Sequence, residues 1–319
     1  MATATPSRHV LERFNDVQVY FHGALATSIF LLWLTGLPLT FNGPLGWLIA
    51  VFGHTNVVMV HVAAGVTLVA SSLFFVAYAL LGVVSGESSL LSVLPRPRDV
   101  SEGLQQFKFV AGIGEAPDAE KYTFLQKAEI WIISFEVVVM SATGLVLWYR
   151  GVLDPVSPNP VMLILRDVHA VVAVTMLVGV VFPLFMTHVK EAPIDLSMFT
   201  GVVGVGRACE EWSRWAEREA GATDVPCEES SHDSVLTTGM VLAMLLFAVI
   251  WTGAILRYVL SPLPTGPRLL ADTAPNALPD GAVGVVYLVS LNLVALVILA
   301  GLAALGYGFY RRVTVDEPA

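Results

Sequence analysis

The chain has 319 residues, 55% of them hydrophobic and 13% charged, with a mean hydropathy of +0.73, which excludes an ordinary water-soluble domain of this length. A formal net charge of −9 argues against a nucleic-acid partner, because a phosphate backbone seeks a basic face. Two cysteines, Cys209 and Cys227, share one polar stretch; they are too few for a disulfide framework or a four-cysteine iron–sulfur cluster and are expected to be free thiols.

Apolar runs long enough to cover roughly 30 Å of hydrocarbon occur at 17–41, 55–84, 128–149, 161–188, 234–258 and 281–310. Lipid offers no hydrogen-bond partners, so each run must satisfy its own backbone as a helix. Run length and the missing alternation exclude spanning strands. The expected fold class is all-α, an integral membrane helical bundle of six transmembrane helices: a four-helix domain over 1–220 and two additional helices in 221–319.

Orientation follows from the basic residues of the loops. With the N-terminus inside, the inner side holds Arg8, Arg13, Arg96, Arg98, Lys108, Lys121, Lys127, Lys190, Arg207, Arg214, Arg218, Arg311 and Arg312, against Arg150, Arg166, Arg257 and Arg268 outside. This bias predicts a multi-pass protein of the cell membrane with both termini in the cytoplasm. The segment 85–127, with Pro95, Pro97, Gly112 and Gly114, reads as a structured cytoplasmic connection. The run from Glu210 to Glu219, which includes Trp212 and Trp215, reads either as an amphipathic helix on the membrane face or against a partner, or as a solvated helix.

A weak internal echo links the first and third spans. Leu34-Thr35-Gly36-Leu37 closes one and Ala142-Thr143-Gly144-Leu145 the other, both near the predicted outer surface. Small residues at such places let helices or a flat cofactor approach closely.

Of the seven histidines, His22, His61, His169 and His188 lie inside predicted spans, where polar groups are costly and tend to be functional. His22 and His188 lie toward the cytoplasmic side, His61 and His169 near the outer ends of their helices. Two pairs at two depths, each drawn from different helices, are what two stacked bis-histidine haems require, since imidazole on both faces fills both axial positions of the iron. The alternative is that each histidine is separately a bundle residue hydrogen-bonded to a neighbour. His169 and His188 are separated by roughly 28 Å and about 100° on an unbroken helix, but Pro183 can re-phase the turn beyond it. The fourth ligand is therefore His188 or, at the start of the fifth span, His232. His9 and His54 read as loop residues. Glu136, mid-span, is either a proton relay toward a quinone or a neutral carboxyl bonded to an adjacent helix. Arg166 and Asp167, just before His169, are positioned to meet haem propionates or a docked subunit, or to form an ordinary interfacial pair.

The first 220 or so residues resemble the cytochrome b (gamma) subunit of membrane-bound formate dehydrogenases, within the wider group that includes the b-type cytochromes of nickel–iron hydrogenases. The stretches that carry the resemblance are Arg13-Phe14 with His22 and Leu34-Thr35-Gly36, His61 with Gly65, and Tyr122, Gln126 and Lys127 leading to Trp131 and Thr143-Gly144-Leu145. His169-Ala170 comes next, and then Met198, Gly201, Val203 and Trp212. The resemblance implies two haem b groups, the outer on His61 and His169 and the inner on His22 and a fourth-span histidine. It also implies an iron–sulfur subunit and a catalytic subunit that feed electrons in, and a quinone that accepts them. The family's fourth ligand, about fourteen residues after the third, falls here on Pro183, and the last two spans lie outside the four-helix pattern. The chain is thus expected to be an electron-transfer subunit that does not itself oxidise the primary substrate. The rivals are the cytochrome subunit of a hydrogenase or another molybdoenzyme and, in another class, a haem-free anchor or transporter.

Overall fold

The computed structural model describes residues 10–86, 88–110, 113–114, 117–153, 160–188, 196–219, 262–263, 266–267 and 281–314, without the side chains of 88–90, 110, 150–153, 160, 163, 181–188, 262–263, 266–267, 281–283 and 287. The long helices are α1 (Asp16–Thr40), α3 (His54–Val84), α5 (Phe124–Leu153), α6 (Pro160–His188) and α10 (Gly281–Thr314), with α2 (Asn42–Phe52) between the first two. Five of the six predicted runs are therefore helices where expected, and the run 234–258 lies outside the described residues. Among the described residues, Asp16–Thr40, His54–Val84, Phe124–Tyr149 and Gly284–Thr314 are long and apolar enough to cross a membrane. α6 continues through Pro183 to His188. The protein is an all-α, multi-pass membrane bundle.

Two departures from expectation have simple causes. The stretch after the first span folds as α2 because its apolar residues bury Leu45 and Leu48. His54, expected in a loop, is the first residue of α3.

The chain divides into two compact units, whose boundaries fall inside α1, α3, α5 and α6. The first combines residues 1–20, 77–132 and 182–246. In it β1 (Val10–Glu12) pairs antiparallel with β2 (Val202–Gly204), Leu11 opposite Val203. The short helix α7 (Ser197–Thr200) ends at Gly201, whose φ of 81° is readily adopted only by glycine. Its carbonyl accepts hydrogen bonds from the Arg13 and Phe14 amides at 2.8 and 2.9 Å. A Cβ there would meet the Phe14 carbonyl oxygen at 2.6 Å.

Helices α8 (Val205–Glu211) and α9 (Ser213–Glu219) break at Trp212. Trp212, Trp215 and Ala216 form a core with Ala119, Val203 and Ala208. The Arg13 guanidinium lies 3.5 Å from the Trp212 ring centroid, and the Trp212 indole N–H donates to Gln126 Oε1 at 3.2 Å. Of the readings open for 210–219, neither a single membrane-lying helix nor a solvated one is found: the run is split at Trp212, its aromatic side faces the protein's own core, and its polar side carries ion pairs. Arg218 meets Glu120 at 2.7 Å and Arg98 meets it at 2.9 Å. The Arg218 hydrogen bond, supported by Arg98 against the opposing effect of burial, lowers the Glu120 carboxyl to about 2. A second correction concerns Cys209, which is disulfide-bonded rather than free; Cys227 lies outside the described residues.

In the same unit α4 (Pro97–Val110) packs on the start of α5. Lys127 donates to Asp99 Oδ1 at 2.8 Å, with both side chains buried. Burial alone would raise the Asp99 carboxyl, but Lys127 and the Arg96 amide outweigh it and hold it below the usual range. The described residues of the segment 85–127 are thus structured, while Gly112 lies outside them.

The second unit, residues 21–76, 133–181 and 247–319, is the helical bundle that holds His61 and His169. Phe21 of α1 stacks on Phe75 of α3 at 4.0 Å, and Leu32 reaches the open side of Gly65. The Trp33 indole N–H donates to the Ala173 carbonyl of α6 at 3.1 Å. α1 and α10 exchange aromatic rings at glycines: a Cβ at Gly23 would overlap Phe309, and one at Gly301 would meet Phe30 at 2.8 Å. Asn292 of α10 accepts from the Trp47 indole at 2.9 Å and donates to the Pro44 carbonyl.

Candidate functional site: a paired-imidazole centre

His61 on α3 and His169 on α6 come together with ring centroids 6.3 Å apart and planes at 68°. Each is held by a threonine from another helix in the same way. Thr35 Oγ1 lies 2.9 Å from His61 Nδ1, and Thr143 Oγ1 lies 2.8 Å from His169 Nδ1. Each threonine also donates to the carbonyl one turn earlier on its own helix, Leu31 at 2.6 Å and Val139 at 2.7 Å.

These bonds fix the tautomers. A threonine hydroxyl has one proton, and the carbonyl oxygen can only accept it. The hydroxyl oxygen must therefore accept from the imidazole Nδ1–H, which leaves Nε2 of each ring unprotonated and able to bind a metal. The glycine after each threonine provides the clearance. A Cβ on Gly36 would stand 3.0 Å from His61 Cε1, and one on Gly144 would stand 3.1 Å from His169 Cε1. The Thr-Gly echo of the sequence is thus a duplicated half-site, each half offering one imidazole.

The donor set decides what such a pair can hold. Two metal–imidazole bonds of about 2 Å, plus the radius of each ring, place ring centres roughly 6 Å apart, as observed. Among the described residues no group of three or more His, Cys, Asp or Glu side chains is placed to hold a metal ion, so a four-coordinate protein site is not formed there. A macrocycle that brings its own equatorial nitrogens needs only two axial imidazoles. The residues present fit a haem.

The other predicted residues are spread more widely. His22 is half-buried on α1, thirteen residues before Thr35 and so roughly 20 Å from it along the helix axis. His188 ends α6, but its side chain, like the whole of His232, lies outside the described residues. Glu136 is buried on α5, and Arg166 and Asp167 are half-buried on α6, one turn before His169. Reading by residue type missed the role of Thr35 and Thr143. Their signal was present as the repeated Thr-Gly pair, each placed 26 residues before a histidine.

Helices long and apolar enough to span a membrane, packed with a pair of imidazoles set to hold one haem, fit a membrane haem protein of the cytochrome b class. The model of the prokaryotic cytochrome b561 family matches residues 13–201, and the chain belongs to that family. The match begins and ends on the residues joined by the Arg13–Gly201 backbone bond and covers all four histidines predicted as ligands. No curated protein matches the chain. Family membership makes this a membrane cytochrome b that binds haem b and transfers electrons.

Proposed function

We propose that the protein is the membrane-anchoring dihaem cytochrome b subunit of an oxidoreductase complex of the formate dehydrogenase type, passing electrons from a peripheral iron–sulfur and catalytic pair of subunits to the quinone pool. The observation that carries the reading is the His61–His169 pair, locked by Thr35 and Thr143. In this reading His61 and His169 hold the outer haem, and His22 with His188 holds the inner one.

A bis-imidazole haem supplies, when bound, a one-electron carrier with no open position for oxygen chemistry. The chain's own residues do the rest. Thr35 and Thr143 keep Nδ1 protonated and Nε2 available, and Gly36 and Gly144 leave the rings room. The apolar helices keep water away, so that the site's electrostatics are set by fixed dipoles rather than bulk solvent. With His22 about 20 Å along α1 from the outer site, the two centres form a path through the membrane from the donor subunit to a quinone on the cytoplasmic side.

The test is a reduced-minus-oxidised spectrum of the purified chain with haem quantified per polypeptide. Two b haems are expected, with His61→Ala removing one and His188→Ala the other. A single haem would restrict the reading to the outer site, and none would remove it. The formate assignment is tested separately by formate-driven reduction of these haems in membranes. Reduction by hydrogen and not by formate would move the chain to a hydrogenase complex.

A further inference from the structure

α4 is amphipathic in the sense opposite to a helix of a soluble domain. Its charged side is turned inward. Asp99 and Glu102 are only 5% and 8% exposed, Asp99 paired with Lys127 and Glu102 with Arg214 at 3.4 Å. Gly103 sits on the same side, where a Cβ would meet the Phe124 ring at 2.8 Å, so α4 lies close against the first turns of α5. The outward side carries Val100, Leu104 and Phe107 at positions i, i+4 and i+7, which are 74%, 61% and 70% exposed. A contiguous apolar stripe of this kind calls for a cover.

The surroundings say what the cover is. In the same compact unit, Leu80, Leu81 and Val84 at the end of α3 are exposed, as are Trp131 and Ile132 on α5; both helices are long and apolar enough to cross a membrane, and exposed apolar side chains on such helices suit lipid. Trp131 lies one turn beyond Lys127, the residue that anchors α4. Its indole N–H donates to the Val93 carbonyl at 3.0 Å, four residues before α4 begins. A half-exposed tryptophan with a bonded N–H at the start of a span marks the headgroup level. The exposed residues of α4 include Lys108 and no carboxylate, and a lysine stem beside apolar side chains lets the ammonium reach phosphate.

We propose that α4 is an interfacial helix, with Val100, Leu104 and Phe107 seated on the acyl-chain boundary of the bilayer, Lys108 among anionic headgroups, and its acidic side clamped inward to Lys127 and Arg214. The helix thereby holds the α8–α9 core at the membrane surface. This assignment does not depend on the haem reading.

Nitroxide labels at Val100→Cys, Leu104→Cys and Phe107→Cys, each placed singly in the full chain without reductant and reconstituted into phosphatidylcholine–phosphatidylglycerol vesicles, give the test. Collision with oxygen and with a water-soluble nickel chelate is read by electron paramagnetic resonance, with Glu217→Cys as an exposed reference. Expected is an oxygen-to-nickel ratio several-fold above the reference at all three positions. A ratio like that of the reference at any of them places the stripe in water and overturns the proposal. Low collision with both reagents means that another protein chain covers the stripe and overturns it equally. All three replaced side chains are exposed, so loss of folding does not confound the result.

Discussion

The His61 and His169 rings stand 6.3 Å apart at 68°, each anchored through Nδ1 to a threonine on a neighbouring helix. Two ligands of one group act as a unit, so their losses do not add. His61→Ala and His169→Ala should each remove the same haem, and the double variant should lose no more than either. Haem per chain, measured as the pyridine haemochrome, checks this. Loss of two separate haems by the two single variants would contradict the pairing.

Thr35→Val and Thr143→Val keep the shape of the side chain and remove the acceptor for Nδ1–H. An imidazole without that bond is the weaker donor to ferric iron, so the midpoint potential of the haem held by His61 and His169 should rise in each variant. Partners of this kind typically contribute about 10–100-fold in metal affinity, so haem should be retained but more easily lost on dilution. Redox titration against the wild type decides; an unchanged midpoint with full haem content would remove the threonines from the site.

The buried Asp99–Lys127 pair should be intolerant of losing one partner. Lys127→Met strands a buried carboxylate and should cost about 3 kcal/mol, whereas Asp99→Leu with Lys127→Met should recover most of that loss. Detergent-solubilised thermal denaturation compares the three. Equal stability of the single and double variants would show that the pair is not what binds α4 to α5.

Glu120 titrates at about 2 rather than 4.5, held there first by Arg218 and then by Arg98. Its folded value lies below the unfolded one, so its contribution to stability is complete above about 4.5 and is lost as the pH falls from there through 2. Hydrogen exchange of the α9 amides should accelerate across that window, and Glu120→Gln should flatten the dependence.

Gly201 combines a φ of 81° with a carbonyl that binds two amides. Gly201→Ala adds backbone strain of about 1–3 kcal/mol and a contact with the Phe14 carbonyl, and should loosen the β1–β2 ladder. Limited proteolysis near residue 13, faster in the variant, is the measurement.

Most of the fold was legible in the sequence because lipid imposes one rule on every span: an apolar run of sufficient length has to be a helix. The same rule made the histidines within the apolar runs conspicuous, since imidazole is expensive in hydrocarbon and Leu or Val would have served an inert bundle. The extra-membrane elements were less legible. Trp212 and Trp215 alternate with charges in a way that suits a membrane surface or a protein core equally, and only their contacts with Ala119 and Val203 decide between them. α4 was obscured for the complementary reason: a mixed sequence does not say which side faces inward until Lys127 and Arg214 are seen to hold its acids.

The sequence by itself determined that the chain crosses a membrane, where its five described long helices lie, and that His61 and His169 are candidates to share one cofactor. Periodicity and transfer energy act locally, and a single chain carries them. Only the tertiary structure decided that Thr35 and Thr143 fix the two tautomers, that Gly36 and Gly144 clear the rings, and that α4 is turned with its acids inward. Those relationships join residues 25 or more positions apart, and a hydrogen bond of 2.8 or 2.9 Å depends on how two helices are rotated against each other, which no local pattern encodes.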